Sequence, residues 1–189
     1  MSALAFTEFR LPSRQLQSDE AGVLTDIFAD DVNLASWQRQ KNTAIAEYCR
    51  SLRFSMPLKR IVSAESVQND IVFALPDAPG KAELLADIAL QCQMFACLMD
   101  CKQLGLRLET LSKPMCPKFH TDHLVCRLVC TYMGPGTEWL DSAGNTVQAT
   151  PFAVTLLKGS GWEGNEQQAI VHRSPASDLP RVLLTLDPM

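Results

Sequence analysis

The stretch Cys116-Pro117-Lys118-Phe119-His120-Thr121-Asp122-His123 gathers the residue types that hold metals. His120 and Asp122 are two residues apart, so on a β-strand both side chains point to one face. A further imidazole comes much later, from His172 in Val171-His172-Arg173-Ser174-Pro175. Two histidines and one carboxylate form the facial triad that binds non-haem Fe(II) and leaves coordination positions open. A 2-oxo acid can chelate two of the open positions and oxygen can take the third. The far carboxylate of such an acid needs a fixed cation, and a bidentate Arg serves better than Lys. Arg181 lies nine residues beyond His172 and begins the apolar run Val182-Leu183-Leu184-Thr185-Leu186. A guanidinium turned inward there requires an anionic partner.

Other residues in this half bear on the same chemistry. Tyr132 and Arg127 follow the His-x-Asp pair on the next predicted strand, and either is a candidate contact for the cosubstrate. Arg173 directly follows His172, so it points to the opposite face and is expected to be structural. His123 faces away from the metal if the strand continues through Asp122. A local turn would instead offer three imidazoles and one carboxylate, a set suited to a closed zinc site. Cys116, Cys126 and Cys130 are near enough in sequence to help bind zinc, or are simply strand-packing residues. Gly134-Pro135-Gly136-Thr137-Glu138-Trp139 and Gly159-Ser160-Gly161-Trp162 are candidate mouth loops, with Glu138, Trp139 and Trp162 as candidate pocket walls.

These residues carry a resemblance. Residues 115 to 187, through CPKFHTDHLVCRLVCTYMGPGTEWL, LLKGSGW and VHRSPASDLPRVLLTLD, look like a bacterial family described as domain of unknown function 1826. The likeness continues more loosely into the N-terminal half. That family brings no established activity, although it carries an association with zinc homeostasis. More distantly, the pattern resembles the Fe(II)/2-oxoglutarate-dependent dioxygenase superfamily. This second resemblance implies His120, Asp122 and His172 as iron ligands, Arg181 as the 2-oxoglutarate clamp, and hydroxylation of an unidentified substrate. One departure is that the Arg-x-Ser of some branches reads Arg181-Val182-Leu183 here, without the second hydroxyl. The alternative is a non-catalytic zinc-binding protein on the same scaffold.

The rest of the chain sets bounds. At 189 residues it has room for one domain with a sizeable core. Net charge of −4 and a pI near 5.4 give no electrostatic footprint for nucleic acid. No window of 18 apolar residues spans a bilayer. The N-terminus does not read as a signal peptide. Seven cysteines, an odd number with no CxxC pair, predict reduced thiols in the cytoplasm.

The elements that must position the site divide at Gly105. Before it, an irregular arm or added strand is expected over residues 1 to 17, and a helix from Ser18 with Val23, Leu24, Ile27 and Phe28 on one face. A second helix is expected from Asp30-Asp31 through Leu52, then an ambiguous stretch over 61–79. A long apolar helix follows from Lys81 to a stop at Gly105. After Gly105 the period becomes two, with strands expected at 106–110, 118–122, 124–132, 137–140, 146–149, 152–157, 169–172 and 181–186. About eight short strands with Gly/Pro turns suggest a jelly roll. The predicted fold is α+β in a single domain over 1–189. A mainly helical half, 1–105, supports a cupin-like double-stranded β-helix, 106–189.

Overall fold

The computed structural model describes residues 13–177 and 179–189. The first part of the predicted arm, residues 1–12, lies outside the described residues. The chain builds one large and one small β-sheet. The large sheet takes strands β1 (Arg14–Ser18), β2 (Val32–Trp37), β3 (Leu58–Val62), β4 (Leu104–Leu111), β5 (Cys126–Met133), β8 (Val154–Lys158) and β10 (Arg181–Pro188). Its strand order is β1-β2-β8-β5-β10-β4-β3. Pairing is antiparallel throughout except between β1 and β2, which run parallel. The small sheet is β7 (Thr146–Gln148), β6 (Glu138–Leu140) and β9 (His172–Arg173), in that order.

Each face of the large sheet buries a different core. Leu34, Val129, Leu157 and Leu183 point toward the small sheet and meet Trp139, Ala149 and Ile170. Their neighbours of opposite parity, Ala35, Leu128, Cys130, Leu156, Val182 and Leu184, point the other way. There they meet α1 (Thr43–Ser51) and α3 (Lys81–Leu98), with a short α2 (Val67–Ile71) beside them. The apolar wrap of α3 puts Leu84, Ile88, Cys92 and Phe95 in this core. Among the described residues no helix is long and apolar enough to cross a membrane.

The N-terminal half departs from the helical support expected for it, because it supplies three strands of the large sheet as well as helices. Val32–Trp37 is a strand, not the start of a helix, and only Thr43–Ser51 of the expected 30–52 segment is helical. The segment at Ala21–Phe28 is a 3-10 helix that does bury Val23, Leu24 and Ile27. The long helix ends at Leu98 because Asp100 adopts the left-handed conformation (φ 46°) usually left to glycine. Gly105 is then free to lie inside β4, paired with Ile61 and Asp187. In the C-terminal half the strands follow the expected order with shifted ends. The exception is 118–122, where only His120 pairs, through a single bridge to His172.

Candidate metal centre

His120 and His172 are placed by each other's backbone. The His120 N–H donates to the His172 carbonyl at 3.0 Å, and the His172 N–H donates back at 2.9 Å. Asp122 lies on the irregular loop that follows, held from below by Gly159-Ser160-Gly161. The Gly159 N–H donates to the Val125 carbonyl (3.0 Å), Ser160 to Asp122 (2.8 Å) and Gly161 to Leu124 (3.1 Å). A Cβ on Gly159 would collide with the Leu124 carbonyl oxygen, and one on Gly161 would come within 2.6 Å of the His123 carbonyl. Those two glycines let the turn approach the backbone that carries Asp122. The loop predicted to form the mouth therefore acts as the bed of the site.

One ligand atom from each of His120, Asp122 and His172 lies within 4.8 Å of the others. His120 Nε2 is 3.8 Å from Asp122 Oδ1, and His172 Nε2 is 3.6 Å from Asp122 Oδ2. Ligand atoms about 2.1 Å from a metal and at right angles stand ~3 Å apart, so a small contraction closes this set. Both imidazoles are oriented through their other nitrogen. Nδ1 of His120 is 3.0 Å from the Lys118 carbonyl, and Nδ1 of His172 is 3.2 Å from the Ile170 carbonyl. A carbonyl accepts only from a protonated Nδ1, which leaves each Nε2 lone pair for a metal. Burial pushes the His172 pKa below the ordinary value against the pull of Asp122, favouring the neutral imidazole that ligation needs.

Arg127 is drawn into this centre, but by carboxylates. Its Nη1 donates to Asp122 Oδ2 at 2.7 Å, and its Nε and Nη2 grip Asp187 at 2.7 and 2.8 Å. It orients Asp122 and is spent on two acids, so the expected contact to a cosubstrate is replaced by a supporting role. Tyr132 is five residues on along β5 and therefore faces the helices. Its hydroxyl donates to Asp87 (2.8 Å) and accepts from Gln91 (2.8 Å), so the cosubstrate contact expected of Tyr132 is corrected.

Arg181, Leu183, Thr185 and Asp187 alternate along the face of β10 that looks to the small sheet. Leu183 and Thr185 line a small cavity with His120 and His172. Arg181 is 2% exposed, and among the described residues its guanidinium makes one hydrogen bond, from Nη2 to Thr131 Oγ1 at 3.4 Å. Among the described residues its buried Nε and Nη1 have no partner. Burial pushes its pKa down to about 10, although Glu109 and Glu138 favour the charge. Among the described residues neither acid is within ion-pair distance. A buried cation with two idle donors fits an absent anion of fixed geometry, such as the far carboxylate of a 2-oxo acid. The donor set of the triad and this idle guanidinium thus both suit an Fe(II)–2-oxo acid pair.

Of the other sequence candidates, His123 turns aside to Ser160 Oγ (2.9 Å). Cys126 and Cys130 face the helical core with their thiols pushed up to about 12 by burial, and so are packing residues. Cys116 is exposed and lines the cavities beside the cluster, outside the ligating group. Trp139 is buried between the sheets, Trp162 packs on Phe28 and Lys158, and Glu138 accepts from Arg173 at 2.7 Å. None of these three lines the larger cavity at the centre. Arg173 also stacks on Phe119, as suits a structural role. Thr131, Asp187 and Lys59 escaped the sequence reading. Parity counted from Arg181 along β10 reaches Asp187, but the other two lie on strands whose register only the fold supplies.

With its fold established, the chain can be set beside known proteins. It is similar to the Arabidopsis thaliana dioxygenase for auxin oxidation 1, solved as a 2-oxoglutarate binary complex. The TM-score is 0.58 and the identity 10%, over 94% of this chain and 92% of that one. The dioxygenase for auxin oxidation from rice gives a TM-score of 0.53 at 13% identity, over 88% of this chain and 76% of that one. At such identities the likeness is one of fold alone, shared with these two dioxygenases. In sequence, no curated protein matches. Residues 18–187 match the family described as protein of unknown function (DUF1826), and the chain belongs to that family.

Proposed function

We propose that this protein is an Fe(II)- and 2-oxoglutarate-dependent dioxygenase that hydroxylates a substrate still to be identified. One observation carries the reading: among the described residues the buried Arg181 guanidinium has two donor nitrogens without partners, on the strand face that also lines the cavity at the histidines. The fold shared with the auxin-oxidising enzymes supports it. Residues His120, Asp122 and His172 would hold the metal, and Arg181, with Thr131 beside it, the far carboxylate of the cosubstrate. When bound, Fe(II) with 2-oxoglutarate supplies oxygen activation, one oxygen atom passing to succinate as CO2 leaves and the other to the substrate.

The chain's own residues do the rest. Lys118 and Ile170 carbonyls hold the imidazole tautomers, and Arg127 fixes Asp122. Leu183, Val129 and Trp139 keep water from the space between the sheets. A cytoplasmic setting suits the seven cysteines, all of them free. A zinc-holding protein would use the same three ligands, and Arg181 separates the two readings. Calorimetry on the Mn(II)-loaded protein tests this. We expect one 2-oxoglutarate per chain and a roughly 100-fold weaker affinity in Arg181→Ala, the worth of a desolvated charged pair, with metal affinity unchanged. Equal 2-oxoglutarate affinity in that variant would remove the reading.

A further inference from the structure

Beside the centre lies a cavity of about 540 Å³ that shares His120 and Asp122 with it. That size suits a small molecule. Its wall is the edge strand β3, where Lys59 and Ile61 share a face with Arg107 and Gly105 of β4. Four cations line it, Lys59, Arg60, Arg107 and Arg127, against two carboxylates, Asp122 and Asp187. Arg127 is consumed by those two acids. Arg107 donates Nη2 to Glu109 at 2.8 Å, and among the described residues its buried Nε has no partner. Arg60 curls back to the Lys59 carbonyl, and among the described residues no carboxylate pairs with Lys59 or Arg60. Ile61 and Met115 add exposed apolar surface, Ile61 being 60% exposed. The chain as a whole carries a charge of −4, so an excess of cations at this one wall is not a reflection of composition.

We propose that the substrate is a small molecule with an anionic group, carboxylate or phosphate, on an apolar body. Lys59 and Arg60 take the anion, with the Arg107 charge behind them, while Ile61 and Met115 take the body. The inference rests on the dioxygenase reading of the adjoining centre and names what that centre acts on.

The test uses protein loaded with Mn(II) and 2-oxoglutarate, so that ligands bind without turnover. Phenylacetate, phenyl phosphate and the neutral phenylacetamide are titrated by calorimetry, with broadening of their proton resonances by Mn(II) reporting nearness to the centre. At least one anion should bind and broaden, with the amide about tenfold weaker. The tighter of the two anions identifies the head group. Lys59→Ala should weaken the anion about fivefold, as expected for an exposed charge, and Lys59→Glu more, with 2-oxoglutarate uptake unchanged. Three results would overturn the proposal: an amide as tight as the acids, an anion affinity indifferent to Lys59→Glu, or no binding of any probe up to about 10 mM. Wild-type protein that takes up no 2-oxoglutarate would instead refute the dioxygenase reading, and this inference with it.

Discussion

Arg181 is costly to the fold in the absence of an anion. Its charge is buried, its pKa is pushed down to about 10, and two of its donors are idle. An apolar side chain of similar reach should therefore fit better when no ligand is present. Arg181→Met is expected to raise the unfolding free energy by about 1–2 kcal/mol in denaturant titrations while losing 2-oxoglutarate binding. A loss of stability would mean that the guanidinium has partners in the fold itself. Arg127 shows the opposite economy, since its three donors satisfy Asp122 and Asp187 together. Arg127→Ala leaves both acids without that cation, and equilibrium dialysis should show metal affinity falling roughly 10- to 100-fold. At this scale the sequence was most legible where chemistry restricts the residue type. Metal ligation accepts few side chains, so His120, Asp122 and His172 stand out in the chain. Support such as that from Thr131 or Asp187 can come from many polar residues, and nothing in their spelling marks them.

At the scale of elements, the site depends on a turn rather than a strand. The loop bearing Asp122 has its shape because Gly159 and Gly161 let a second backbone lie against it. Gly159→Ala should displace Asp122 and weaken metal binding at least tenfold by the same dialysis, with the folded core intact by circular dichroism. Unchanged affinity would show that the loop holds its shape unaided. The strands of the C-terminal half were legible because Gly/Pro turns bound each short apolar run and leave clear punctuation, even where, as in β8 and most of β10, both faces are buried. Val32–Trp37 has neither Gly/Pro punctuation beside it nor alternation: five of its six residues are buried, on both faces. Leu58–Val62 fails for the converse reason, as an edge strand whose three central residues, Lys59, Arg60 and Ile61, are all exposed. Tyr132 was misplaced because parity along β5 depends on where pairing begins, and the chain before Cys126 is loop, not strand.

Over the whole molecule, one sheet serves two purposes. Its helix-facing side is a conventional core, in which Asp87 accepts from Arg39, Gln91 and Tyr132, while among the described residues Gln91 Oε1 lacks a partner. Its other side, toward the small sheet, holds the idle donors of Arg181 and Arg107 and the unpartnered Glu109 Oε1. Unsatisfied charged groups gathered on the side that bears the histidines fit a binding site, since such groups are costly unless a ligand answers them. The most direct check is an anaerobic titration of metal-free protein with Fe(II) and then 2-oxoglutarate, followed in the visible range, with His172→Ala and Arg181→Ala alongside. A charge-transfer band that requires both additions, saturates at one equivalent of each and vanishes in both variants is the predicted result. Absence of the band in the wild type, with tight one-to-one zinc uptake in its place, would contradict the dioxygenase account and leave a zinc-binding protein on the same scaffold.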